Sequence, residues 1–165
     1  MNILPNANNI LRLLKSSPDA IATVRGDRNH KSIFGTVKFY QTSHGVAVLC
    51  EIYGLPKEAS KCDGKIFAIH IHEGSSCTGN ENEPFADAKM HYNPHGCAHP
   101  HHVGDLPPLF ASKGYALALT LSDRFTVDEI VGRIVIIHNS PDDFTTQPSG
   151  NSGIKIACGE IKRFD

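Results

Sequence analysis

IFGTVKFYQ at residues 33–41 and GVAVLCEIYG at 45–54 decide the fold of this chain. Within TVKFYQ, Val37 and Phe39 fall on one side of an extended backbone and Lys38 and Tyr40 on the other, because side chains alternate with period two along a strand. Outward from this pair, the same kind of short β-branched run recurs: AIATVRG (20–26), IFAIHIHE (66–73), YALALTL (115–121), RIVIIHN (133–139) and IKIACGEI (154–161). Gly and Pro punctuate the gaps, and no amphipathic pattern of ten or more residues follows the N-terminal segment. The pattern predicts an all-β protein, a sandwich or a barrel. Cys50, inside AVLCEIYG, reads as a small buried hydrophobe on a strand.

A chain of 165 residues with 40% hydrophobic content fits one domain with a core of its own. Lys and Arg number 16 against 17 Asp and Glu, so the chain lacks the basic excess that follows a phosphate backbone. Nucleic acid is excluded as the expected partner, and so is a membrane, since no run approaches the roughly 20 apolar residues that span a bilayer. The opening MNILPNANNILRLLKSSPD has no early basic region and carries Arg12 and Lys15 within its apolar stretch. It predicts a cytoplasmic protein, or an exported one whose leader has been removed. Residues 1–19 read as an extension with a short helix, capped by Asn8 or Asn9, burying Ile10, Leu11 and Leu14 and ending before Pro18. Residues 20–165 read as the functional domain.

Two gaps, 74–113 and 139–153, are too long for hairpin turns, and loops of that length are generally functional or disordered. The first holds HYNPHGCAHPHHVGD (91–105), with five histidines, a cysteine and an aspartate broken by proline and glycine. Eight of the ten histidines lie between positions 70 and 138. His70 and His72 stand two apart on a strand, which sends both rings to one face where they can chelate one ion. His138 ends a second apolar strand. His91, His99, His102 and Asp105 are spaced to wrap around an ion, and three imidazoles with one carboxylate suit tetrahedral zinc. Imidazole serves zinc and copper alike, so the donor type leaves the metal open. Five cysteines leave at least one thiol outside any intrachain pairing, and without a C-x-x-C pair a thiolate zinc ribbon is not expected.

From Ala20 to Ile161 the chain resembles the copper-zinc superoxide dismutase family. The resemblance rests on AIATVRGD, the H-x-H-E of His70–Glu73, HYNP at 91–94, HVGDL at 102–106, His138 followed by Asp142 and Asp143, and SGNSGIKIACG at 149–159. It implies an eight-stranded antiparallel Greek-key β-sandwich, or flattened barrel, with two long functional loops. It implies copper held by His70, His72, His91 and His138, and zinc held by His91, His99, His102 and Asp105, with His91 shared. Asp142 would orient two of the ligand rings, and Cys77 and Cys158 would form the family's disulfide. Cys62 and Cys97 are left without a role, and His95 and His101 are expected to face solvent.

The implied reaction turns superoxide into dioxygen and hydrogen peroxide, with His91 passing a proton and zinc in a structural role. Superoxide is then the substrate, and a homodimer and a copper-delivery protein are the partners the family suggests. The alternative is a copper or zinc storage or sensing protein on the same fold, without turnover. Two departures stand out. Lys155 occupies the position of the family's anion-guiding arginine, keeping the charge but losing the fork of donors. Lys89 stands two residues before His91, where the family commonly has glycine, which leaves the local loop geometry open.

Overall fold

The computed structural model describes residues 7–57 and 65–164. In chain order the elements are helix α1 (Ala7–Leu14) and strands β1 (Ala20–Gly26), β2 (Phe34–Thr42), β3 (Gly45–Tyr53), β4 (Ile66–Phe67) and β5 (Ile69–His72). A single 3-10 turn (Ala86–Ala88), β6 (Leu109–Phe110), β7 (Ala116–Ser122), helix α2 (Val127–Ile130), β8 (Ile134–His138) and β9 (Lys155–Arg163) follow. Seven strands form one antiparallel sheet in the order β5-β8-β9-β1-β2-β3-β7, and β4 pairs with β6. β4 runs into β5 at one edge of the large sheet, and β6 lies beside β7 at the other, so the small pair bridges the two edges.

Among the described residues there are nine strands where eight were expected. Ala68 breaks the 66–73 run, because its N–H donates to the Ser140 carbonyl and its own carbonyl accepts from His138 N–H. The Leu109–Phe110 strand is short enough to have escaped the periodicity. Helix α2 is a single turn, too short for an amphipathic period, yet Thr126 and Glu129 bond reciprocally across it in a capping box.

The core lies on the concave side of the sheet. Val24, Val37, Phe39, Val48, Ile52, Ile71, Val135, Ile137 and Ile156 meet there with essentially no exposure. Burying side chains of this size contributes on the order of 1.5–3 kcal/mol each before conformational entropy is counted. The alternation predicted for β2 holds at Val37 and Phe39, but Tyr40 on the opposite face is buried too. Leu13 and Leu14 of α1 pack over Tyr40, Ala47 and Leu49 on that outer face. The helix begins at Ala7, so Asn8 and Asn9 lie inside its first turn rather than capping it, and Leu11, expected to be buried, is 59% exposed. Its last turn is closed by the Ser16 hydroxyl donating to the Leu13 carbonyl, ahead of Pro18. Cys50 is buried as expected, and burial pushes its thiol up to about 12.

A second, smaller cluster forms on the outer face of β8 and β9, where Phe85 and Ala88 cover Ile134, Ile136 and Cys158. The Cys77–Cys158 disulfide fastens the long loop to β9 beside it, joining residues 81 apart in sequence. Cys97 is exposed and, among the described residues, free; Cys62 falls outside the described residues.

Candidate metal centre

The site is built on β5 and β8, two strands whose four and five residues are all buried. Alternation turns Ile69 and Ile71 into the core and His70 and His72 the other way. β8 pairs antiparallel with β5, and an irregularity between Ile137 and His138 in its pairing with β9 sets the strand-end ring toward the same space.

The long loop then returns along the free edge of β5. Tyr92 N–H donates to the Ile71 carbonyl at 2.8 Å, Ile71 N–H to the Gly104 carbonyl at 2.8 Å, and Glu73 N–H to the Met90 carbonyl at 2.9 Å. These bonds satisfy an otherwise open strand edge and fix the loop's histidines in register with those of the strand. Gly104 is needed in HVGD because a Cβ there would overlap the Ile71 carbonyl.

Two groups of donors result, and His91 belongs to both. His70, His72, His91 and His138 form one, and His91, His99, His102 and Asp105 the other, with the donor atoms of each within 4.8 Å of one another and every residue buried. In the second group, Asp105 Oδ1 stands 2.8 Å from His91 Nδ1 and 3.3 Å from His102 Nδ1, and its Oδ2 stands 3.0 Å from His99 Nδ1. The backbone N–H of His102 donates to the same carboxylate at 3.0 Å, which closes the HVGD turn.

Four of the six rings are oriented through their outward nitrogen. His70 Nε2 and His99 Nε2 both donate to Asp142, to Oδ2 and Oδ1 respectively, at 2.8 Å. His72 Nδ1 donates to the Lys89 carbonyl at 2.9 Å and His138 Nδ1 to the Gly153 carbonyl at 3.2 Å. A neutral imidazole that donates from one nitrogen presents a lone pair at the other. The lone pairs therefore converge, as at His72 Nε2 and His138 Nε2, which are 3.4 Å apart. Among the described residues, His70 Nδ1, His91 Nε2 and His99 Nδ1 are buried without a hydrogen-bond partner. Orphaned acceptors of this kind are costly, and a cation in each group would satisfy all three.

The ionisation states match. Burial, reinforced by neighbouring rings, holds His72 well below its ordinary range, and burial lowers His138 to about 3. Burial likewise lowers His70 and His102. For Asp105, burial pushes the carboxyl up, but the hydrogen bond from His91 and the surrounding rings outweigh it and the net shift is downward. For Asp142, burial is also outweighed, by hydrogen bonds from His70, the Phe144 N–H and His99, which hold it at about 2. Neutral imidazoles with ionised carboxylates are the forms that bind divalent metals.

All seven sequence-predicted ligands are thus brought together, with Asp142 behind them. His95 and His101 are exposed, as expected. Lys155 opens β9 on the wall of a cavity of about 380 Å³ that reaches His72, His91 and His138. Its ammonium does not stand free: it lies 2.8 Å from Glu83 Oε1 and donates to the Phe85 carbonyl at 3.1 Å.

Several supporting residues escaped sequence reasoning. Gln147 exchanges two bonds with the His99 backbone, at 3.0 and 2.7 Å. Arg124 donates to the carbonyls of Pro100 and His102 at 3.2 and 3.1 Å. Gly150, at φ +65°, lies so close to Asp142 and the His99 ring that a Cβ would collide with both. Only the SGNSG string hinted at the last of these.

A curled β-sandwich whose loops press two donor groups against one shared imidazole defines a class, that of proteins with paired, adjoining metal sites. The copper/zinc superoxide dismutase (SODC) family matches residues 33–161. Cu-Zn superoxide dismutase 1 of Aquifex aeolicus is 32% identical over 168 residues, covering 93% of this chain and 90% of its own. The Cu-Zn superoxide dismutase of Legionella pneumophila is 33% identical over 136 residues, covering 78% and 77%. The solved Cu/Zn superoxide dismutase from Brucella abortus superposes with a TM-score of 0.72 at 23% identity, over 87% of this chain and 99% of that one. This chain belongs to the copper/zinc superoxide dismutase family.

Proposed function

We propose that this protein converts superoxide to dioxygen and hydrogen peroxide, with copper held by His70, His72, His91 and His138 and zinc by His91, His99, His102 and Asp105. The observation that carries the reading is the shared ring, with His91 Nδ1 facing Asp105 at 2.8 Å and His91 Nε2 buried and unpartnered in the other group. When bound, copper supplies a one-electron couple that accepts an electron from one superoxide and returns it to a second, while zinc supplies a fixed charge that holds the loop.

The chain's own residues do the rest. Asp142, through its two 2.8 Å bonds, couples the orientation of His70 in one group to that of His99 in the other. The Lys89 and Gly153 carbonyls hold His72 and His138 as neutral donors. His91 Nε2 faces the four-histidine group and, whenever its lone pair is not given to copper, would take up a proton from water and yield it to the departing peroxide; the second proton would also come from water. Lys155, steadied by Glu83, gives the cavity wall a positive charge beside the incoming anion.

The same reading takes in a homodimer and a copper-delivery partner, which sedimentation and copper-transfer measurements address. The function itself is tested on protein loaded with one copper and one zinc. Superoxide should decay far faster than in buffer, and His138→Ala should lose that activity while zinc stays bound. An active His138→Ala protein overturns the assignment.

A further inference from the structure

Lys89 occupies a backbone conformation that suits glycine, with φ +62° and ψ −142° at the end of the 3-10 turn. The local bonding requires that conformation. Its N–H donates to the Ala86 carbonyl at 3.0 Å while its own carbonyl accepts from His72 Nδ1 at 2.9 Å. A glycine would make both bonds without crowding a Cβ, so what lysine adds at this position is its side chain.

The cavity gives that side chain a purpose. Lys89 lines it together with His72, His91 and His138. The other cation on its wall, Lys155, is already paired with Glu83. Asp27 and Glu81 add acid to the same wall, with Asp27 accepting from His30 Nδ1 at 2.7 Å. Lys89 is exposed and, among the described residues, joined to no carboxylate. Without it, the cavity lining would set Asp27, Glu81 and Glu83 against Lys155 alone.

We propose that Lys89 is the steering cation of this site, drawing a small inorganic anion into the cavity and toward the four-histidine group, while Lys155 serves as a positioned wall charge held by Glu83. The inference rests on the dismutase reading for the identity of the anion, but not for its charge. A unit charge at a cavity mouth acts on encounter, so its effect is largest at low ionic strength and fades as salt screens it.

The test compares wild type, Lys89→Met, Lys89→Gly and Lys89→Arg, each loaded with copper and zinc. Three readouts are taken: the second-order rate of superoxide decay across ionic strength, the affinity for azide from the visible copper band, and the melting temperature of the metal-free protein. Lys89→Met and Lys89→Gly should slow decay by about three- to tenfold at the lowest salt, converge with wild type at high salt and bind azide correspondingly less well. Lys89→Arg should restore both. Lys89→Gly alone should melt about 2–4 °C higher, as the backbone relaxes. Unchanged rate, salt slope and azide affinity in the Met and Gly variants would overturn the proposal, and a lower melting temperature for Lys89→Gly would overturn its conformational premise. If wild type fails to turn over, the dismutase reading falls and the azide affinities alone decide the role of Lys89.

Discussion

Asp142 shows how much of this site rests on single atoms. Its two oxygens hold one ring from each donor group, and its own position is kept by the Phe144 N–H at 2.7 Å and by the absence of a Cβ at Gly150. Removing such a partner behind a ligand typically lowers metal affinity 10–100-fold. Asp142→Ala should therefore weaken zinc binding by about that factor, as measured by competition with a chelating dye, with the fold retained. Affinity equal to wild type would show that the rings need no such support. The ligands themselves were legible in the sequence, because a two-residue spacing on a strand and a histidine-rich loop leave few arrangements. The Lys155–Glu83 pair was not, since its members lie 72 residues apart and nothing local couples them. Gly150 was hidden for a related reason: its role is to make room for a side chain from another turn.

Among the elements, the loop from β5 to β6 carries most of the function with little regular structure. It is held at three places: along the edge of β5 by backbone bonds, over β8 and β9 by Phe85 and Ala88, and at β9 by the disulfide. Closing a loop of this length lowers the entropy of the unfolded chain enough to contribute about 4–5 kcal/mol. The double variant Cys77→Ser with Cys158→Ser should melt about 10 °C or more below wild type by calorimetry. A shift under about 2 °C would place the loop's anchorage in Phe85 and the backbone bonds instead. The strands β1, β2, β3, β7, β8 and β9 were legible from short β-branched runs set between turn residues, several of them alternating with period two. The break at Ala68 and the packing of α1 over Tyr40 were not, because each is decided by a partner distant in sequence, Ser140 in one case and Leu13 with Leu14 in the other.

For the molecule as a whole, the fold stores neutral imidazole in its interior, and this links stability to pH. A histidine whose pKa is lower folded than unfolded binds its proton only on unfolding, so its stabilising contribution is complete above about 6.5 and is lost as pH falls. His138, lowered to about 3 by burial, loses roughly 1.4 kcal/mol per pH unit across that window, and His70, His72 and His102 shift in the same direction. The metal-free, disulfide-intact protein should unfold at clearly lower urea at pH 5.5 than at pH 7.5. Equal midpoints would mean that the rings are solvated in the absence of metal. Asp142 acts at lower pH, since a carboxyl held at about 2 keeps its contribution until pH drops below the ordinary carboxylate range.

In the proposed function one buried ring, His91, joins a redox site to a structural site. Metal content and superoxide decay, measured on one sample of His138→Ala beside wild type, test this arrangement. Zinc should be retained in both, copper weakened in the variant, and decay rapid in wild type alone. A variant that retains zinc and still removes superoxide as fast as wild type would contradict it.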